Sequence, residues 1–131
     1  MRALALTAVL VALAGPPAAA QMLPSGTWTG TWEAGSREDP ATALIERCET
    51  GFRVRLRVGA RAAQTETAQW EGGRLRFTTD RARLPGMPVA RALTCTLVRG
   101  DDGRLAGTCR HGLRRYRLAL APPADGTIGC E

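Results

Sequence analysis

Lysine is absent from this sequence: all 18 of its basic residues are arginine, set against 12 acidic ones. Together with abundant Ala, Gly and Pro, this resembles the codon bias of a GC-rich bacterial genome, which accounts for most of the arginine excess. The net charge of +6 still describes a surface able to attract anionic headgroups, polysaccharide or an acidic protein. Histidine is nearly absent as well. His111, beside Gly112 in an expected turn, is the single one and reads as solvated polar surface. Without a histidine pair or a nucleophile-elbow motif, no catalytic residue, metal site or cofactor is predicted, and the chain reads as a non-enzyme. Cys48, Cys95, Cys109 and Cys130 include no close C-x-x-C pair, so zinc has little support. No window carries a helical stripe of useful length. Nor does the chain offer a nucleic-acid-binding motif, and nucleic acid is not expected as a partner.

What is present first is an export signal. Arg2 precedes an apolar run from Ala3 to Ala14, Gly15-Pro16-Pro17 breaks it, and Ala18-Ala19-Ala20 supplies the small residues of a cleavage site. The run falls short of the about 20 apolar residues that span a bilayer. Residues 1–20 are therefore read as a signal peptide and 21–131 as one domain, periplasmic or secreted, with no membrane span. In an oxidising compartment four cysteines are most simply two disulfides.

The rest of the chain reads as β-strands. Phe52-Arg53-Val54-Arg55-Leu56-Arg57-Val58 alternates apolar and charged residues, the mark of a strand with one buried and one wet face. Strands are expected near 26–33, 41–48, 52–59, 62–70, 74–80, 89–99, 104–110 and 114–121. Short links make sequence neighbours antiparallel neighbours, apart from longer links over 34–40 and 80–88. Eight such strands leave two exposed edges unless the sheet closes, which points to a small up-and-down barrel.

Turn chemistry sets the registers. Gly100-Asp101-Asp102-Gly103-Arg104 has the form of a three-residue hairpin loop with Gly103 in the left-handed position. Counting outward brings Cys95 opposite Cys109 at bridging distance and leaves Cys48 with Cys130 by elimination. For Cys48 to Phe52, a three-residue loop puts Ile45 outside, whereas a two-residue loop buries it. A hairpin tipped by Gly72-Gly73 sets Trp70 opposite Leu75 and Ala68 opposite Phe77. Continued outward, it puts Glu66 opposite Thr79, with Gln64 on the same inward face.

Gly26-Thr27-Trp28, opening the first expected strand, resembles the start of the calycin barrels, the lipocalin and avidin group. The resemblance implies that Trp28 plugs one end of the barrel, and Trp32 shares its strand face. Small secreted bacterial protease inhibitors are similar in architecture, with an eight-stranded barrel and a disulfide. The leading expectation is an exported, non-catalytic protein that holds a small apolar or amphipathic molecule, with Trp28, Trp32, Gln64, Glu66, Trp70 and Thr79 lining the site. The alternative is an inhibitor of a secreted hydrolase, a protease or lysozyme, acting through loops or a basic face.

Overall fold

The computed structural model describes residues 22–49 and 51–124, with 66 and 67 by backbone alone. The expected leader and Cys130 lie outside the described residues. Eight strands run β1 Gly26–Ala34, β2 Arg37–Cys48, β3 Gly51–Val58, β4 Arg61–Glu71, β5 Arg74–Ala82, β6 Arg91–Arg99, β7 Leu105–His111 and β8 Arg114–Ala121. Each pairs antiparallel with the next, and β8 returns to pair with β1, closing the barrel and removing both sheet edges. No helix occurs among the described residues, and hence none long and apolar enough to cross a membrane.

The alternating pattern is realised directly. Val54, Leu56 and Val58 point inward, while Arg55 and Arg57 between them are exposed. Gly103 adopts a φ of 83° in the loop between β6 and β7, whose amide donates to the Gly100 carbonyl at 3.0 Å. That register sets Cys95 opposite Cys109, and the two form a disulfide with Cα atoms 4.0 Å apart. Both are fully buried, so the bridge crosses the core side of the wall. No cysteine among the described residues is free.

One local expectation is corrected, one open alternative is settled, and one irregularity is new. The link over 34–40 is a tight turn at Gly35-Ser36, and β2 starts at Arg37, with Glu38, Asp39 and Pro40 paired to β1. Cys48 pairs with Gly51, so the next loop has two residues and Ile45 is buried against Val54's side of the barrel. Between β3 and β4 the register shifts: Phe52 pairs with Ala68, but Val54 pairs with Thr65. The extra β4 residue in this bulge reverses the facing of everything before it.

Closure brings backbones close at two glycines. A Cβ on Gly30 would lie 1.7 Å from the Ala119 carbonyl oxygen, and one on Gly107 would lie 1.9 Å from that of Thr96. Only glycine lets the wall bend this tightly at those points.

Inside the wall, Trp28, Trp32, Leu75, Leu93, Leu97 and Leu105 are wholly buried, and Leu56, Leu118 and Leu120 nearly so. These side chains form one buried hydrophobic cluster along the barrel. Both ends are closed as well. At the end where β1 begins, the Trp28 indole N–H donates to the Pro24 carbonyl at 2.9 Å, and Leu23 is buried beside the core. At the other end, the 83–90 loop between β5 and β6 folds over the opening. Its Leu84 and Met87 are buried, and its Pro85 carbonyl accepts from Trp32 Nε1 at 3.1 Å.

Candidate binding surface

Of the six side chains expected around an inner ligand, the five described ones do not converge on one point. Trp28 and Trp32 sit at opposite ends of the barrel, each fully buried and hydrogen-bonded to backbone. Trp70 is half-buried against the core, opposite Leu75 as expected. Thr79 does face inward, and its hydroxyl donates to the Gln64 carbonyl at 3.3 Å. Gln64 itself is a correction. Because of the β4 bulge, Ala63 and Thr65 occupy the inner face and the Gln64 side chain is exposed outside. The Glu66 side chain lies outside the described residues.

His111 is a second correction. It ends β7 on the same face as Leu105 and Cys109 and is 3% exposed. Its Nε2 lies 2.9 Å from the Ala82 carbonyl, and its ring stands edge-on to Tyr116, with centroids 6.4 Å apart. The alternation Leu105, Gly107, Cys109, His111 was a usable signal that the adjoining Gly112 obscured. Tyr116 was also missed. It stacks on Trp32 at 5.0 Å, and its hydroxyl donates to the Gly86 carbonyl at 3.1 Å, fixing the covering loop.

With the interior occupied, chemistry able to meet a partner lies on the outer wall. Every aromatic side chain (Trp28, Trp32, Trp70, Phe52, Phe77 and Tyr116) belongs to the inner face or its rim. Charge on the outside is divided unevenly. Strands β1 to β5 mix arginine with Glu33, Glu38, Asp39, Glu46, Glu71 and Asp80. Strands β6 to β8 contain no Asp or Glu at all, while Arg110, Arg115 and Arg117 are exposed there. Arg110 pairs directly with Arg115 across β7 and β8, and Thr108 pairs with Arg117. On the neighbouring strands Arg76 pairs with Thr96, which pairs with Thr108. One polar row thus runs Arg76, Thr96, Thr108, Arg117, and a second runs Thr78, Thr94, Arg110, Arg115. None of these arginines forms an ion pair among the described residues, whereas Arg53 is bound to Glu46 at 2.9 Å on the other wall.

Beside these rows the outer wall is indented. A groove of about 440 Å³ runs over β7, β8 and β1, floored by Ala106 and Ala119 and edged by Thr31, Glu33, Thr108 and Arg117. It exists because small residues meet there in register: Ala106 opposite Ala119, and Ala119 opposite Thr31. A second groove of about 370 Å³ on the opposite wall includes Leu44, Arg55, Arg57 and Gln64. Among the described residues, no group of three or more His, Cys, Asp or Glu is placed to hold a metal ion.

The fold and wall chemistry define a closed, core-filled antiparallel β-barrel with a basic outer sector. Comparison with protein-family models, with curated proteins and with solved structures finds no match.

Proposed function

We propose that the chain is an exported, non-catalytic binding protein of calycin-like architecture that meets its partner with the outside of the barrel. The observation that carries this reading is the occupied interior. Trp28 and Trp32 are wholly buried towards opposite ends of the barrel, and both indoles are tied to backbone carbonyls. A small apolar molecule held inside is the competing reading. The Cys95–Cys109 bridge supports export, since such bridges persist in oxidising compartments. The test is titration with an uncharged apolar fluorescent probe, N-phenyl-1-naphthylamine. Tryptophan emission should stay constant and the probe should stay dark; saturable probe binding with a shift in tryptophan emission would return the ligand to the interior.

The inhibitor reading has its own observation at the loop-covered end. Leu113, at the tip of the β7–β8 turn, is fully exposed, and Val89 in the covering loop is 46% exposed. The loop that presents Val89 is rigidly tied, through Pro85 and Gly86, to Trp32, Tyr116 and Arg114. Exposed apolar groups on a preorganised loop are what a protein inhibitor needs. Assay against secreted proteases and lysozymes checks this reading: inhibition abolished by Leu113→Ser would establish it, and no inhibition across the set would remove it.

A further inference from the structure

We infer that the β6–β8 wall, with the groove over β7, β8 and β1, is a binding site for an anionic polysaccharide. The inference rests on the outer-surface reading above and names the partner's chemistry. Arg110, Arg115 and Arg117 face solvent there, and Arg76 does so on the adjoining β5; none has an ion pair among the described residues, and β6, β7 and β8 carry no carboxylate. Arg117 stands opposite Glu33 across β8 and β1, which leaves the Arg110–Arg115 pair and Arg76 as the excess of like charge, whose repulsion a bound polyanion relieves. Neighbouring strands lie about 4.8 Å apart and alternate residues on one face about 7 Å apart. Arg110, Arg115 and Arg117 therefore form a compact cationic cluster of which Arg117 lines the groove, while Arg76 extends the basic surface across two threonines.

The same surface discriminates among anions. Single-stranded nucleic acid is held largely by bases stacking on exposed aromatic rings, and every aromatic ring here is on the inner face or its rim. A bilayer is gripped by apolar groups that enter it, and Val98 is the one large apolar side chain exposed on these strands. A tight protein interface is centred on an apolar patch, which the Arg and Thr rows lack. What remains suits sulfate or carboxylate groups carried on hydroxyl-rich rings. The guanidinium groups donate to the anions, and the threonine hydroxyls donate to or accept from ring hydroxyls. Glu33, the carboxylate on the groove's edge, accepts from sugar hydroxyls and is not itself neutralised by an anion.

The test uses dextran sulfate and polygalacturonate as probes, with uncharged dextran as control, by calorimetry at several salt concentrations. Both polyanions should bind, with affinity falling as salt rises, and dextran should not. The double variant Arg115→Gln/Arg117→Gln should weaken binding tenfold or more. Arg55→Gln/Arg57→Gln removes the same charge from the opposite wall and should change it less than twofold. Equal losses in the two variants would reduce the effect to net charge and overturn the site. Ala119→Ile narrows the groove without altering charge and should weaken binding at least threefold; full retention would overturn the groove as its seat. Failure to bind either polyanion, or stronger binding to phosphatidylglycerol vesicles or single-stranded DNA, would overturn the polysaccharide assignment. None of these results alters the probe titration that tests the outer-surface reading, so the two can fail separately.

Discussion

At one end of the barrel Trp28 donates its indole N–H to the Pro24 carbonyl four residues before it; at the other, Trp32 donates to Pro85, 53 residues further on. Each closure consists of a buried tryptophan on β1 and a proline carbonyl that satisfies its single polar atom. They differ in what must already be folded. The Trp28 indole bond is local, although the segment before it is also held by Arg99, which donates to the Met22 carbonyl 77 residues away at 2.6 Å. The Trp32 closure needs the 83–90 loop, Tyr116 of β8 and Arg114, all brought from far along the chain. Long-range contacts carry a larger loop-closure cost and reward it only when several form together. The Trp32 end joins three such bonds on one loop, from Trp32, Arg114 and Tyr116, and the Trp28 end has one, from Arg99, so the Trp32 end is the more cooperative of the two.

The largest effects come from removing either tryptophan. Trp28→Ala and Trp32→Ala should each cost about 3–5 kcal/mol in urea unfolding, a large share of a domain's ~5–15 kcal/mol. Only Trp32→Ala should also strip hydrogen-exchange protection from the Met87 amide, which donates to the Leu84 carbonyl at 3.0 Å within the covering loop. Equal loss at Met87 in both variants would erase the distinction between the ends.

Next comes the Cys95–Cys109 bridge, which closes a short chain loop at mid-wall with a sequence separation of 14. Replacing both cysteines by alanine should cost about 3 kcal/mol on the chain-entropy account. The loss should loosen both ends alike, because the bridge belongs to neither. Exchange concentrated at one end would show that the bridge serves that closure in particular.

The smallest effect sharpens the comparison most. Tyr116→Phe deletes the hydroxyl bond to Gly86 and keeps the ring stacked on Trp32. It should cost about 1 kcal/mol, the usual net worth of such a bond. Faster exchange should be confined to the 83–90 loop, with the Trp28 end unchanged; a change at both ends would contradict separate closures.

Features legible before the structure are those governed by neighbours in sequence. The alternation from Phe52 to Val58, the glycine in the Gly100–Arg104 loop and the Gly72-Gly73 tip each specify a strand or turn by local sterics. Where a loop length was certain, the register followed, and the Cys95–Cys109 pair with it. Gln64 was misplaced because nothing in its own segment announces the bulge that turns it outward. His111 was taken as turn surface because Gly112 beside it is a turn residue, although its own alternation with Cys109 put it inside. The polar stretch Glu38-Asp39-Pro40 concealed the start of β2, which pairs only because β1 lies beside it.

By itself, then, the sequence determined an all-β chain of eight short strands with one well-defined hairpin bridge. Those properties follow from two-residue periodicity and from turn residues acting over a few positions. Tertiary structure decided which way β4 faces, that the 83–90 segment covers an end, and that Trp28 and Trp32 are buried towards opposite ends. Each of those outcomes depends on groups separated by tens of residues meeting at a few ångströms, and no local pattern encodes such a meeting. The arginine sector was readable as letters in β6 to β8. That it forms a continuous wall beside a groove follows only from the closure of β8 onto β1.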